Sequence, residues 1–277
     1  MTGGAPAAEG IGELYDRLTD LMAHAMGGYL HGGYWAGPDP ATTVEEAGDR
    51  LTDVVAAGLD LRPGSRLLDV GCGNGKAGLR VAAAHGAHVT GITLSPYQAG
   101  LARERAAAAG MAASARFEVA DMHDLPFAEA SFDAVLAIEV MCHAPVRTRV
   151  YEQLARVLRP GGTVAVTDFV LRRPVLDPGR RAAVEHSEGD FQHGPILPRA
   201  AYEECVTAAG LDVVDFTDIG EAVRPSFEAV AAAMRAARQV VQTGMAEADF
   251  HRMVDGIARF GSVTEIGYAV VTARKPS

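Results

Sequence analysis

Between Arg66 and Val170 short apolar runs alternate with longer Ala-rich runs that carry a polar face, and this alternation limits the possible folds most strongly. The runs RLLDVG, HVTGITL, ARFEVA, FDAVLAIE and GGTVAVTDFV have the length and composition of strands. Strands separated by helices favour a parallel sheet covered by helices on both faces. Two later runs, LDVVDFTDIG and GYAVVTAR, would complete the sheet. We therefore predict an α/β fold with a seven-stranded, mostly parallel, doubly wound sheet.

The remaining segments are predicted to form an arm before the sheet and a cap over it. Residues 1–62 contain a Gly- and Ala-rich tail followed by a helical arm. The predicted core consists of residues 63–170, 201–220 and 266–277. The predicted cap consists of residues 171–200, which are irregular and rich in Pro, Arg and His, and 221–265, which contain a helical stretch over about 226–260.

Charge and cysteine content argue against several classes of protein. The formal net charge of -10 disfavours binding to nucleic acid or anionic membranes, which requires clustered Lys and Arg. No apolar run approaches the roughly 18 residues that span a bilayer, and no apolar segment follows a charged start, so we expect a cytoplasmic protein. The cysteines, Cys72, Cys142 and Cys205, are too scattered for a disulfide framework or a zinc knuckle. The sequence leaves monomer and homo-oligomer undecided.

The glycine-rich segment LLDVGCGNGKAG runs from the first predicted strand into a helix. Gly71, Gly73 and Gly75 permit the close backbone approach that a bound ligand needs. A P-loop requires four residues between Gly and Gly-Lys, then Ser or Thr, whereas Lys76 here is followed by Ala at the wrong spacing. A dinucleotide site requires Gly-x-Gly-x-x-Gly and an acid about 20 residues later. The spacing here is Gly-x-Gly-x-Gly, and the second strand ends at Thr93.

This segment resembles the first motif of class I S-adenosylmethionine-dependent methyltransferases, with Asp69 as its acid. ADMHDLPF resembles the family's adenine-binding segment, SFDAVLAIEV its fourth strand, and LARVLRPGGTVAVTDF its fifth strand with the preceding helix. The resemblance covers roughly Tyr15 to Arg274. Within that family the sequence more closely resembles small-molecule methyltransferases of natural-product pathways, a group that includes the rebeccamycin-type sugar O-methyltransferases, through YDRLTDL, LHGGYW, VTGITLSPYQ and VRPSF. The resemblance implies S-adenosylmethionine as cofactor, S-adenosylhomocysteine as product and a small-molecule acceptor.

The resemblance also implies which residues contact the cofactor. Tyr15 and His31 of the arm correspond to residues that contact its methionyl end, and Glu139 to one that holds its amino group. Asp121 would accept from the adenine amino group, and the Met122 amide would lie beside the ring.

Most class I enzymes end the second strand with an acid that binds the ribose, but Thr93 stands there in this sequence. We expect Thr93, the Leu94 amide or Gln98 to bind the ribose instead. The complete set of predicted cofactor residues is Tyr15, His31, Asp69, Gly71, Cys72, Gly73, Thr93, Leu94, Gln98, Ala120, Asp121, Met122 and Glu139.

The stretch IEVMCHAP contains Glu139, which is predicted to end the fourth strand, and places a carboxylate, a thiol and an imidazole close together. A thiol nucleophile needs a lowered pKa and a base within reach, and adjacent Cys and His side chains usually point apart. We therefore expect Cys142 to be a wall residue. In the sugar O-methyltransferases the loop resembles ALESLHHMPDR, so Cys142 replaces the first of two histidines, which is taken to be the base.

His143 is therefore the predicted general base, because imidazole titrates near neutral pH, with a structural histidine as the alternative. Asp168, predicted to close the fifth strand, matches the relatives' catalytic-site aspartate and would orient the base or bind substrate. The missing histidine raises N- and C-methylation relative to O-methylation, since amines and electron-rich carbons need less help. It also leaves open a cofactor-binding cyclase or pathway partner, with an NAD oxidoreductase third.

The predicted cap contains four potential metal ligands within VEHSEGDFQHGPILP, which are His186, Glu188, Asp190 and His193. A loop of mixed charges is more often solvated, so we predict no metal site. Phe191, Ile196 and Leu197 are expected to form the apolar face of a substrate lid.

Overall fold

The structure is a computed structural model that describes residues 8–37, 41–238, 240–241 and 244–277. Residues 1–7 of the predicted tail and 38–40 of the predicted arm lie outside the described residues. The strands are β1 (Arg66–Val70), β2 (His88–Thr93), β3 (Ala115–Val119), β4 (Phe132–Ala137), β5 (Leu158–Leu171), β6 (Leu197–Pro198), β7 (Asp212–Asp218) and β8 (Ile266–Arg274).

The strands form one sheet in the order β3-β2-β1-β4-β5-β8-β7, with the short β6 paired to β5. Strand β8 is antiparallel to both of its neighbours, and the other pairs are parallel. The predicted mostly parallel sheet of seven strands is confirmed. The structure adds one strand that was not predicted, β6. Its two residues are too few to show the alternating pattern of a strand in the sequence.

The helices are α1 (Ala8–Ala25), α2 (Val44–Ala56), α3 (Lys76–His85), α4 (Pro96–Ala108), α5 (Arg147–Val157), α6 (Pro178–Phe191), α7 (Arg199–Ala208), α8 (Gly220–Val223), α9 (Pro225–Ala237) and α10 (Glu247–Gly261). The irregular segment expected after residue 171 contains α6. Asp177 is the N-cap of that helix, and its side chain accepts from the Arg180 amide. Pro178 follows in the first turn, where proline is tolerated.

The single helical stretch expected over 226–260 is two helices, α9 and α10. Gly244, between them, has a φ of +66°, a left-handed conformation through which a right-handed helix does not continue.

Alternating side chains of the strands supply the hydrophobic cores on the two faces of the sheet. On β1, Leu67 packs with residues of α2, α3 and α4, whereas Leu68 packs with residues of α5 and α7. Successive side chains of a strand point to opposite faces, so a doubly apolar strand is buried on both sides. A third core lies off the sheet, where α1 packs against α9 and α10.

The strand order reverses between β1 and β4, since β2 and β3 lie on one side and β5 on the other. Open parallel sheets bind ligands in the crevice at such a point, beyond the carboxyl ends of the strands. The segments after β1, β2 and β4 begin at Gly71, Leu94 and Ile138. The fold therefore brings the glycine-rich turn and the IEVMCHAP stretch to one edge.

Candidate functional site

A cavity of about 480 Å³ lies at this edge, beneath helix α1. Its volume falls in the range of about 300–1,000 Å³ that is usual for small-molecule sites. Every residue predicted to contact a cofactor lines it, together with His143. The lining residues from that prediction are Tyr15, His31, Asp69, Gly71, Cys72, Gly73, Thr93, Leu94, Gln98, Ala120, Asp121, Met122 and Glu139.

The glycine-rich turn needs its glycines for conformation and for space. Gly71 and Gly73 have φ values of +68° and +52°, in the left-handed region. A Cβ on Gly71 would lie 2.5 Å from a Val140 methyl, and one on Gly73 would lie 2.7 Å from a Leu30 methyl. The turn can therefore keep this backbone path beside the cavity only with glycine at both positions.

Two buried acceptor atoms belong to residues that line the cavity, and the second has no partner among the described residues. One is Asp69 Oδ2, which lies beside the Gly78 backbone of α3, where burial raises the pKa of the carboxyl to about 7. The other is Nε2 of His123, whose Nδ1 lies 2.8 Å from Asp121 Oδ1. A proton on Nδ1 directed at the carboxylate leaves a lone pair on Nε2. Together with the glycine-rich backbone, these acceptors fit a ligand rich in N–H and O–H donors.

Sequence reasoning missed His123, although it lies in the quoted segment ADMHDLPF and lines the cavity. The sequence signal that could have identified His123 is its position two residues after Asp121. At this spacing the His123 amide also donates to Asp121 Oδ1, at 2.9 Å. Short acidic side chains commonly accept from the backbone two residues on.

At the end of β2, Thr93 and Gln98 are already engaged with each other. The Thr93 hydroxyl donates to Gln98 Oε1 at 2.6 Å, and Gln98 Nε2 donates to the Thr19 hydroxyl of α1 at 2.9 Å. The Ser95 amide donates to the Thr93 hydroxyl at 3.2 Å. These side chains therefore link β2 to the arm, and the one hydroxyl proton of Thr93 is used.

His31 and Glu139 hold the arm's turn against the sheet. Both ring nitrogens of His31 have partners, the Gly32 carbonyl at 2.8 Å and the Thr52 hydroxyl at 3.3 Å, and burial lowers its pKa to about 4. Glu139 Oε1 accepts from the Gly32 amide at 3.0 Å and from the Tyr268 hydroxyl at 2.9 Å. Glu139 was predicted to end β4, but it lies beyond the strand with a φ of +52°.

In the IEVMCHAP stretch, Met141–His143 form a 3₁₀ turn that buries both the thiol and the imidazole. Burial raises the pKa of the Cys142 thiol well above its ordinary value, which disfavours the thiolate that nucleophilic catalysis needs. The thiol donates to the Glu139 carbonyl at 3.5 Å. This environment fits the predicted wall residue and disfavours a nucleophile.

His143 is held between the arm and the cap. Its Nδ1 lies 3.4 Å from the Gln192 carbonyl, and its Nε2 lies 2.9 Å from the Tyr15 hydroxyl. Because a carbonyl only accepts, Nδ1 carries the proton and Nε2 accepts from Tyr15. Burial lowers the pKa of His143 to about 4, so the ring is neutral at pH 7. The near-neutral titration expected from the sequence is therefore wrong, and in this structure the ring is a weaker base than a free imidazole.

Asp168 lies behind the cavity in an ion pair. The prediction that it closes β5 is wrong, because the antiparallel partner β8 extends β5 to Leu171. Its Oδ2 accepts from Nε of Arg147 at 2.6 Å, and its side chain has an exposed fraction of 0%. Asp168 is not among the described residues that line the two larger cavities.

A second cavity, of about 110 Å³, adjoins the first under α1, α6, α9 and α10. Tyr15, Leu30 and Glu139 line both cavities. The second cavity is mostly apolar, with the lining residues Met22, Met26, Met234, Phe169, Phe191, Phe227 and Phe260. Of the predicted lid residues, Phe191 reaches it and Ile196 and Leu197 do not, since the latter two pack on the cores of the sheet.

The four potential metal ligands of the cap do not converge. His193 lines the second cavity, whereas His186 Nε2 is paired with Asp190 Oδ2 at 3.1 Å on the outer part of α6. Among the described residues, every helix is too short or too polar to cross a membrane.

Comparison with known proteins identifies the family. Residues 68–166 match the family model of a methyltransferase domain. The chain is 38% identical over 273 residues to 27-O-demethylrifamycin SV methyltransferase of Amycolatopsis mediterranei, covering 98% of both chains. It is 34% identical over 270 residues to the O-methyltransferase resE of Aspergillus sclerotiorum, again covering 98% of both.

Among solved structures, the [4+2]-cyclase SpnF superposes with a TM-score of 0.84 at 31% identity, covering 99% of this chain and 98% of the other. The fold therefore agrees with that of the cyclase over nearly the whole chain. The chain belongs to the class I S-adenosylmethionine-dependent methyltransferases and transfers a methyl group from that cofactor to a small-molecule acceptor.

Proposed function

We propose that this enzyme methylates a hydroxyl group of a hydrophobic natural product and that His143 is the general base. The observation that carries the proposal is the neutral imidazole with its acceptor nitrogen beside Tyr15, where the cofactor cavity meets the apolar cavity. The named activities of the relatives support it, since both curated relatives above are O-methyltransferases and one acts on a rifamycin.

We assign the first cavity to the cofactor. Asp69 and the Gly71–Gly73 backbone would hold the methionyl end with Tyr15, His31 and Glu139. At the adenine end, Ala120, Asp121 and Met122 would contact the ring, and the lone pair of His123 Nε2 would accept from its amino group. Because Thr93 and Gln98 are tied to each other, the Leu94 backbone remains for the ribose. S-adenosylmethionine supplies a methyl group on a positively charged sulfur.

The chain contributes alignment and removal of a proton. The acceptor oxygen must lie in line at about 3–3.5 Å from the methyl carbon, which the walls shared by the two cavities would impose. His143 Nε2 would take the hydroxyl proton once the acceptor oxygen replaces the Tyr15 hydroxyl on that nitrogen. The Gln192 carbonyl then holds the other ring proton and keeps the tautomer.

Helices α6, α9 and α10 would form the acceptor cap, with α1 as the arm over both ligands. The apolar lining with three methionines suits a large, weakly polar scaffold, because methionine side chains adapt to irregular shapes. Asp168 would act as a positioning residue, since its ion pair fixes Arg147, which also donates to the Pro195 carbonyl at 2.8 Å in the cap.

The test uses 27-O-demethylrifamycin SV and a panel of hydrophobic alcohols, phenols and amines, with S-adenosylmethionine labelled at the methyl carbon. We expect the label in an O-methyl group, as read by NMR of the product. His143→Ala should lower kcat at least ~100-fold without changing the affinity for S-adenosylhomocysteine. Label on nitrogen or carbon would contradict O-methylation. An unchanged kcat in His143→Ala would show that His143 is not the general base.

The 31% identity to the [4+2]-cyclase over nearly the whole chain supports a second candidate. The apolar cavity would then fold a polyunsaturated substrate for ring closure while the cofactor stays unreacted. Accumulation of S-adenosylhomocysteine distinguishes the two, because methyl transfer produces it and ring closure does not.

A further inference from the structure

The cap and the loop after β4 bring together a thiol and two imidazoles. Cys142, His143 and His193 each offer one ligand atom, and the three atoms lie within 4.8 Å of one another. Cys142 and His143 are buried, and Nδ1 of His193 is buried without a hydrogen-bond partner among the described residues. Buried polar atoms normally have a partner, so an orphan nitrogen on a residue of such a cluster needs an explanation.

We propose that Cys142, His143 and His193 form a binding site for one Zn²⁺ ion, whose occupation switches off methyl transfer. Thiolate sulfur and imidazole nitrogen are the donors that zinc prefers, whereas Mg²⁺ and Ca²⁺ prefer oxygen. Around a tetrahedral zinc ion, bond lengths of about 2.1 Å to nitrogen and 2.3 Å to sulfur place ligands roughly 3.4–3.6 Å apart. To close the cluster, the ligand atoms would have to approach one another by at most about 1.4 Å, and His143 would have to give up one of its two hydrogen bonds.

The backbone already holds the two segments together. The Gly194 amide donates to the Cys142 carbonyl at 2.6 Å. A Cβ on Gly194 would lie only 2.7 Å from the Ala144 carbonyl oxygen, so this close approach requires glycine. The His193 ring lies between Phe191 and Phe169, with centroid distances of 5.8 Å and 5.6 Å. These contacts fix the position from which His193 would reach the ion.

The surrounding charges offset part of the charge of the ion. On binding, the Cys142 thiol would lose its proton to solvent and become a thiolate, which offsets one of the two positive charges of zinc. The nearby guanidinium of Arg147 is already balanced by Asp168, whose Oδ2 lies 2.6 Å from Nε of Arg147.

Three protein ligands leave a fourth position open. Cys142 and His193 line the second cavity, so this position would face the proposed acceptor. An imidazole coordinated through either nitrogen carries its proton on the other and has no lone pair left. Zinc and the proton of the acceptor would then compete for His143. This inhibition, unlike the binding site itself, rests on the proposed role of His143.

The binding test titrates the metal-free, full-length protein with Co²⁺ and then displaces it with Zn²⁺. We expect one equivalent and the near-ultraviolet absorption band of a cobalt–thiolate bond. Cys142→Ser should abolish the band, and His193→Gln, which preserves volume, should weaken affinity at least ~10-fold. The matched controls, Cys205→Ser and His186→Ala, should leave both unchanged, and S-adenosylhomocysteine binding should confirm that each variant is folded.

Absence of the band, or equal affinity in wild type and Cys142→Ser, would overturn the site. Zinc should also lower methyl transfer in competition with the acceptor, with activity restored by a chelator. If zinc binds but methyl transfer is not reduced, the zinc site stands. That result would overturn both the switch and the base role of His143. If the protein does not bind zinc and His143→Ala is inactive, the zinc site is wrong while the base role of His143 stands.

Discussion

At the scale of the residue, burial governs the protonation of the groups around the cavities. Removal from water disfavours the charged form, so it lowers the pKa of His31 and His143 to about 4 and raises that of Asp69 to about 7. At pH 7 the two imidazoles are therefore neutral, and the Asp69 carboxyl is about half protonated. The cost of charging them appears as a dependence of stability on pH.

The first prediction concerns His143 and the unfolding free energy. Its pKa is 6.5 in the unfolded chain and about 4 in the fold, so between these values the unfolded state binds more protons. The contribution of the neutral ring to the free energy of unfolding is fully present above pH 6.5. It is lost as the pH falls from 6.5 to about 4. Relative to His143→Gln, wild type should lose up to about 3 kcal/mol between pH 7 and 4, as measured by chemical denaturation.

Asp69 titrates with the opposite sign, because its raised pKa favours the fold at low pH. It is present in both proteins, so its contribution cancels in the comparison. Parallel stability curves for wild type and His143→Gln would contradict the inferred burial of a neutral imidazole.

At the scale of the element, polar contacts dock helix α1 on the carboxyl end of β2 and the start of α4. The Tyr97 hydroxyl donates to Asp20 at 2.7 Å, the Ser95 hydroxyl contacts Asp16, and Gln98 reaches Thr19 at 2.9 Å. Of these, the Thr93–Gln98–Thr19 chain is buried. It connects the expected ribose end of the site to the arm.

The second prediction is that Thr93→Val acts through the arm. The substitution would leave the buried Gln98 carbonyl without its donor, which costs about 1–3 kcal/mol of unfolding free energy. The loosened arm should also weaken S-adenosylhomocysteine binding in calorimetry. Thr93→Ser, which keeps the hydroxyl, is the matched control. Equal stability and affinity in Thr93→Val and wild type would refute the connection.

The prediction of elements from sequence succeeded where the pattern is local. The strands and the glycine-rich turn follow from apolar periodicity and glycine spacing. Helix α6 was missed because most of its residues are polar and only Ala183 and Ser187 are buried, so no apolar stripe marks it.

At the scale of the whole molecule, the described residues enclose a second cavity that is too small for a large acceptor. Its volume of about 110 Å³ is below the range usual for ligand pockets. Helix α1 lies over this cavity and the first, and its partners α9 and α10 belong to the proposed cap. Admission of the proposed large acceptor would therefore require α1 and the proposed cap to separate.

The third prediction is that ligand binding protects α1 from amide hydrogen exchange. A ligand that binds only the closed arrangement stabilises it by mass action, which lowers the population of open states. Saturating S-adenosylhomocysteine should slow exchange across 8–25 by mass spectrometry. Helix α7, which packs on the other face of the sheet, should exchange as before. Equal protection of α1 with and without ligand would contradict the arm's closing role.

The sequence by itself determined the sheet, the family and the glycine-rich turn, because strand period and glycine spacing act over a few neighbouring residues. The tertiary structure then brought every residue predicted to contact the cofactor to one cavity. Only the tertiary structure decided that Asp168 pairs with Arg147 and that His193 joins Cys142 and His143. Such contacts join segments far apart in the chain, whose meeting depends on how the cap packs and leaves no local period.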